Sequence, residues 1–199
     1  MHWLLRFRES SAAQWGLLIL IIGILLLSAI PAFERIVQFA DRVEFRYLAN
    51  AFAGSVDNLQ LRVTLKNDEK QGGIVTVDDV SYRLTQENKQ EIGYPFALEN
   101  GARQLADLSA QDCGKLLKQF TGQSYWLGRE QEVEALSLPK PKIRAVVAFD
   151  HGLTPYCRFE RPVRAGFWGD DSSMVARHVF AYYPASGRVE VLRETGEVK

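Results

Sequence analysis

Cysteine, methionine and histidine are scarce in this chain: two, two and three in 199 residues. Net charge is missing altogether, because 24 basic side chains balance 24 acidic ones. Nothing here resembles the polyelectrolyte signature of a nucleic-acid partner. Phosphate-cradling loops are absent too. No stretch fits G-x-x-x-x-G-K-S/T, a G-x-G-x-x-G after a strand, or the G-x-S-x-G nucleophile turn, so ATPase and hydrolase chemistry lack their usual scaffolding. There are no internal repeats and no low-complexity linker, which leaves one membrane helix and one compact domain as the simplest organisation.

What the chain does have is a long uncharged run. Residues 15–33 carry no ionisable side chain. In a helix, about nineteen residues cover roughly 28 Å, close to the hydrocarbon thickness of one bilayer. The expected organisation is therefore a leader over 1–13, a transmembrane helix over 14–33 in contact with membrane lipid, and an exported domain over 34–199. Arg6 and Arg8 outnumber Glu9 in the leader, which keeps that side in the cytoplasm and sends the domain outward. A cleaved signal peptide is the competing reading. Its hydrophobic core would be shorter, and no convincing small-residue cleavage site precedes Pro31.

Beyond Pro31, which should bend the helix near the outer interface, apolar residues continue at helical spacing. Ile36, Phe39, Ala40, Val43, Tyr47 and Ala51 predict an amphipathic extension covered by a sheet. Gly54 either stops this helix or interrupts it harmlessly. Phe52, Val56, Leu59 and Val63 keep the period and predict helix as far as Leu65. Residues 67–73 read as a loop and 74–84 as strand material. Ser109 and Asp112 offer a cap for a helix ending at Gly122. Strands are expected over 143–149 and 156–159 around Asp150-His151-Gly152. A further hairpin joins 175–183 to 188–193 through Pro184-Ala185-Ser186-Gly187.

Within the uncharged run, IIGILLLSAIPAF over residues 21–33 resembles the N-terminal helix of type IV pilins and the pseudopilins of type II secretion. Ile21, Ile22, Gly23, Ile24, Leu25, Ala29, Ile30, Pro31, Ala32 and Phe33 fall in the matching order. The resemblance covers about the first quarter of the chain. It implies an α+β fold with a pilin-like long N-terminal helix packed on an antiparallel β-sheet. It also implies a bacterial inner-membrane location, a periplasmic head, no enzymatic activity and no cofactor. Partners would be other pilins or pilus assembly proteins, met through the helix.

The sequence departs from the pilin pattern at the processing site. Glu9 stands where the prepilin peptidase requires glycine, and Gln14 where pilins carry glutamate, so the leader is expected to stay uncut. That start, together with FAYYPASGRVEV over 180–191, is similar to the small biogenesis proteins of the mannose-sensitive haemagglutinin (MSHA) pilus. Two alternatives stay open: a minor pilin or pseudopilin processed at an atypical site, and a single-pass envelope enzyme or metal-binding domain.

Ala12, Gly16 and Gly23 share one helix face, spaced by four and then seven, and with Pro31 they are the candidate helix-packing positions. In the exported part, Cys113 and Cys157 read first as one disulfide. Closing a loop of about 45 residues would contribute roughly 4 kcal/mol. Joined with His151 and His178 they would instead form a two-cysteine, two-histidine metal site, but the spacings match no paired-ligand motif. Gly166-Phe167-Trp168-Gly169-Asp170-Asp171-Ser172 has too few spaced carboxylates for a calcium loop. Asp78, Asp79, Glu130, Glu132 and Glu134 read as solvated faces rather than an acid-base pair.

Overall fold

A single α-helix, α1, runs over Ser11–Leu65. This computed structural model describes residues 11–65, 73–85, 93–127, 143–162 and 177–192. Leader residues 1–10, the 166–172 loop and Glu130, Glu132 and Glu134 lie outside the described residues. Helix continues through Pro31 and through Gly54 without a break. Gly54 does not end it, because Phe52 before it and Val56, Leu59 and Val63 after it are buried in one core.

The chain divides into two compact units, Met1–Asp41 and Arg42–Lys199. Packing explains the division: Phe45 is the first core side chain of α1, whereas Ile36 and Phe39 are 65% and 66% exposed.

In the second unit, α1 buries Phe45, Leu48, Ala49, Phe52, Val56, Leu59 and Val63 along one face. That face corrects the expected stripe. Val43 is exposed and Tyr47 is 75% exposed, because Tyr47 sits two residues, about 200°, around the helix from Phe45. The sequence carries two apolar stripes there, and periodicity alone cannot choose between them. The chosen one brings the larger buried rings.

Two sheets complete the head. β1 (Ile74–Val77), β2 (Val80–Leu84) and β3 (Pro95–Leu98) form a three-stranded antiparallel sheet in that order. β4 (Tyr125–Trp126), β5 (Ile143–Phe149), β6 (Pro155–Pro162), β7 (Arg177–Tyr183) and β8 (Arg188–Leu192) form a five-stranded one in sequence order. The α+β class holds, but the expected single antiparallel sheet is replaced by two, and β4 pairs with β5 in parallel. Residues 74–84 are likewise not one strand. They fold into a two-residue hairpin at Asp78 and Asp79, with φ of 48° and 64°. A type I′ turn needs positive φ at both positions, and aspartate tolerates this better than most residues.

Helix α2 covers Ala110–Thr121, preceded by a short 3-10 turn at Leu105–Asp107. Its start is a capping box: the Ser109 side chain accepts from the Asp112 amide at 3.2 Å, and the Ser109 amide donates to the Asp112 carboxylate at 3.2 Å. Gly122 closes the helix in the left-handed conformation. Along α2, Cys113, Leu116 and Leu117 are fully buried. They join one core with Val75, Val77, Tyr82, Leu84 and Phe96 of the small sheet, and with Ile143, Ala145, Phe159, Phe180 and Tyr182 of the large one. Each buried Val, Leu, Ile or Phe among them contributes about 1.5–3 kcal/mol by leaving water.

Gly54 provides a direct check on this account of α1. It is exposed, and an added Cβ would meet nothing within 4 Å. Gly54→Ala should therefore raise the unfolding free energy of the head by about 0.5–1 kcal/mol, since helical alanine loses less conformational entropy on folding. An increased denaturation midpoint is the expected result, and a decrease would show that the position has a close neighbour.

Candidate functional site

The first unit presents a helix surface made of apolar side chains. Trp15, Leu17, Leu18, Ile19, Leu20, Ile21, Ile22, Ile24, Leu25, Leu26, Leu27 and Phe33 are all exposed. Among the described residues this is the one helix long and apolar enough to cross a membrane. In water a patch this large would be a liability, and in lipid it is the ordinary state. The backbone polarity of the segment is taken up within the helix, and Ser28 donates its hydroxyl back to the Leu25 carbonyl at 2.8 Å, so the side chain brings no unsatisfied donor to the surface.

The four expected packing positions all lie in this helix. At Gly16 and Gly23 a Cβ would meet nothing within 4 Å, so both mark shallow places where another helix could approach. The side chains of Ala12 and Pro31 lie outside the described set.

Cys113 in the first turn of α2 and Cys157 in β6 are joined in a disulfide, with Cα atoms 5.5 Å apart and a sequence separation of 44. Both are fully buried. Bonded to each other, the sulfurs are not available as thiolate ligands. His151 lies in the exposed β5–β6 turn, while His178 in β7 pairs in register with Arg161 at the other end of β6. The sequence's four-residue metal alternative is therefore not assembled. Among the described residues no group of three or more His, Cys, Asp or Glu is placed to hold a metal ion.

Sequence reasoning missed the ionic organisation of β6. Alternation turns Cys157, Phe159 and Arg161 to the core side and Arg158 and Glu160 to the other. The Glu160 carboxylate, almost wholly buried, lies 2.9 Å from Arg158 Nε and 3.5 Å from Arg144 across the ladder. The Arg144 guanidinium in turn sits 5.6 Å from the centre of the Trp126 ring. On the core side, Arg161 reaches Glu44 of α1 at 3.3 Å and lies 5.1 Å over the Phe45 ring. The available signal was the run CRFER, whose period of two places an arginine and a glutamate on one face. Such a buried set holds strands in register, and breaking one member leaves an uncompensated charge.

Tyr182 shows the same logic for a neutral group. Its hydroxyl donates to the Pro95 carbonyl at 2.7 Å, tying the two sheets together. Burial, helped by Tyr94 and Asp57, pushes its phenol well above the ordinary range and keeps it protonated.

Comparisons with known proteins add little to these observations. No protein-family model matches the chain, and no solved structure matches it. It is similar to the spindle assembly abnormal protein 6 homolog of Drosophila melanogaster, with 29% identity over 145 residues, or 72% of this chain and 28% of that protein. The chain thus spans little more than a quarter of that relative's length, and the likeness does not place it in a family.

Proposed function

We propose that this protein is a non-enzymatic, pilin-like assembly factor of a type IV pilus, of the MSHA kind. It is anchored in the bacterial inner membrane by residues 14–33, with its leader in the cytoplasm and its α+β head in the periplasm. The observation that supports the reading best is the division of labour along α1. Its N-terminal part is apolar and exposed all round, and its C-terminal part forms one wall of a disulfide-closed core. A buried disulfide agrees with an oxidising compartment. The proposed partners are pilins, met in the bilayer through the shallow face of Gly16 and Gly23, where helices associate by close packing rather than by hydrophobic drive.

Crosslinking in membranes against the pilins tests this. Gly23→Leu should remove most of the crosslinked product, while Leu26→Ile on another face should leave it unchanged. Undiminished crosslinking by Gly23→Leu, together with its loss on deleting the head, would move recognition to the head. Intact mass separates the uncut assembly factor from a minor pilin: a chain beginning at Ser10 with a methylated amine would establish the latter.

A further inference from the structure

We infer that β8 is a self-association edge, joining two copies of the chain through one continuous antiparallel sheet. β8 ends the strand order of the five-stranded sheet, and among the described residues nothing pairs with its far side. It pairs with β7 over Val179↔Leu192 to Tyr183↔Arg188 with no bulge. It contains no proline or lysine, and Val191 is 43% exposed. Proline, lysine and bulges are devices that blunt natural edge strands and β8 has none of them, while its two charges, Arg188 and Glu190, are of opposite sign and can be matched by a second strand. The opposite edge, β4, has two residues and offers little ladder.

Backbone parity decides which groups face outward. The Tyr183 carbonyl accepts from Gly187 at 2.8 Å, inside the hairpin, where Gly187 takes a positive φ of 70°. Tyr183 and Arg188 therefore exchange the ladder bonds nearest the turn. Because bonded and non-bonded pairs alternate, Val189 and Val191 turn their N–H and C=O groups to the open side.

The occupant follows from charge. An isologous strand pair needs a residue on the two-fold axis. With Glu190 there, two carboxylates would face each other. With Val191 there, Glu190 would face leucine. With Val189 there, the two valines exchange both backbone bonds, and each Arg188 stands opposite the second copy's Glu190. Opposite charges directly across an antiparallel pair are favourable and like charges are not. The side chains are already held for this: Arg188 lies 3.1 Å from Glu190 and 4.6 Å over the Tyr183 ring. β8 is charge-complementary to itself in one register only.

The test uses energy transfer between donor- and acceptor-tagged copies of the full chain in detergent micelles. Wild type should associate with rising concentration. R188E and E190R should each weaken self-association about tenfold or more, by turning two attractive pairs into repulsive ones. Mixing the R188E copy with the E190R copy should restore it, because every cross-strand pair is again of opposite sign. V189P should abolish association while leaving the head folded by circular dichroism, since the amide it removes is not used by β7. A mixture no tighter than its separate components would overturn the inference. So would a wild-type chain that stays monomeric, or association that survives all the variants and therefore runs through the helix.

Discussion

Unfolding free energy should fall by about 4 kcal/mol when Cys113 and Cys157 are both replaced by alanine. The link closes a loop of 44 residues' separation, and chain entropy of the unfolded state is what it restrains. For a domain of this size the melting temperature should drop by roughly 10 °C. Position sharpens the expectation. The bond pins the first turn of α2 to β6, so its loss leaves the helix held by the packing of Leu116, Leu117 and Phe120. Thiol counting gives the chemical check: the unreduced, denatured protein should take up no alkylating agent, and the reduced protein two equivalents. Two labelled cysteines without reduction would refute the bond.

An effect of similar size is expected at Phe52. Its ring is fully buried and has four aromatic neighbours: Phe120 and Tyr182 meet it edge-on at 5.2 and 5.1 Å, and Phe159 and Phe180 lie at 5.5 and 5.8 Å. Phe52→Ala removes contacts to α2, β6 and β7 at once, and the surrounding rings cannot all close on the cavity. The cost should be about 3–5 kcal/mol. Tyr47→Ala, five residues earlier on the exposed face, should change stability by less than about 0.5 kcal/mol. Equal effects at the two positions, read from chemical denaturation, would mean that α1 is seated by its other stripe.

That contrast shows where the sequence was legible. Helix length could be read because Phe52, Val56, Leu59 and Val63 repeat at helical spacing over several turns. Ser109 and Asp112 announced α2 because a capping box is a local device whose geometry lies within four residues. The hairpin around residues 184–187 was similarly local. Phe45 against Tyr47 was not, because both stripes satisfy the same period and only the partner surface distinguishes them. PFAL and YW, which form β3 and β4, are too short to carry a period at all. The aspartate pair at 78 and 79 hid a turn because it lacks the glycine that usually marks one. For the candidate site, the apolar helix and the cysteine pair were visible as composition. The Arg144–Glu160–Arg158 set was not, because it exists only once β5 and β6 have found their register.

The distance along the chain between α1 and the strands that cover it has a consequence for how the protein is made. Glu44 finds Arg161 across 117 residues, and Phe52 waits still longer for Phe180 and Tyr182. The helix is made before β6 and β7, which complete its covering. Until β6 and β7 are made, Phe45 lacks Arg161 and Phe180, and Phe52 has only Phe120 of its four aromatic neighbours. Local contacts cannot shorten this wait, and such long-range closure is slow. The nascent head should therefore be a client for whatever shields apolar helices during synthesis, and a chain truncated before β7 should remain one.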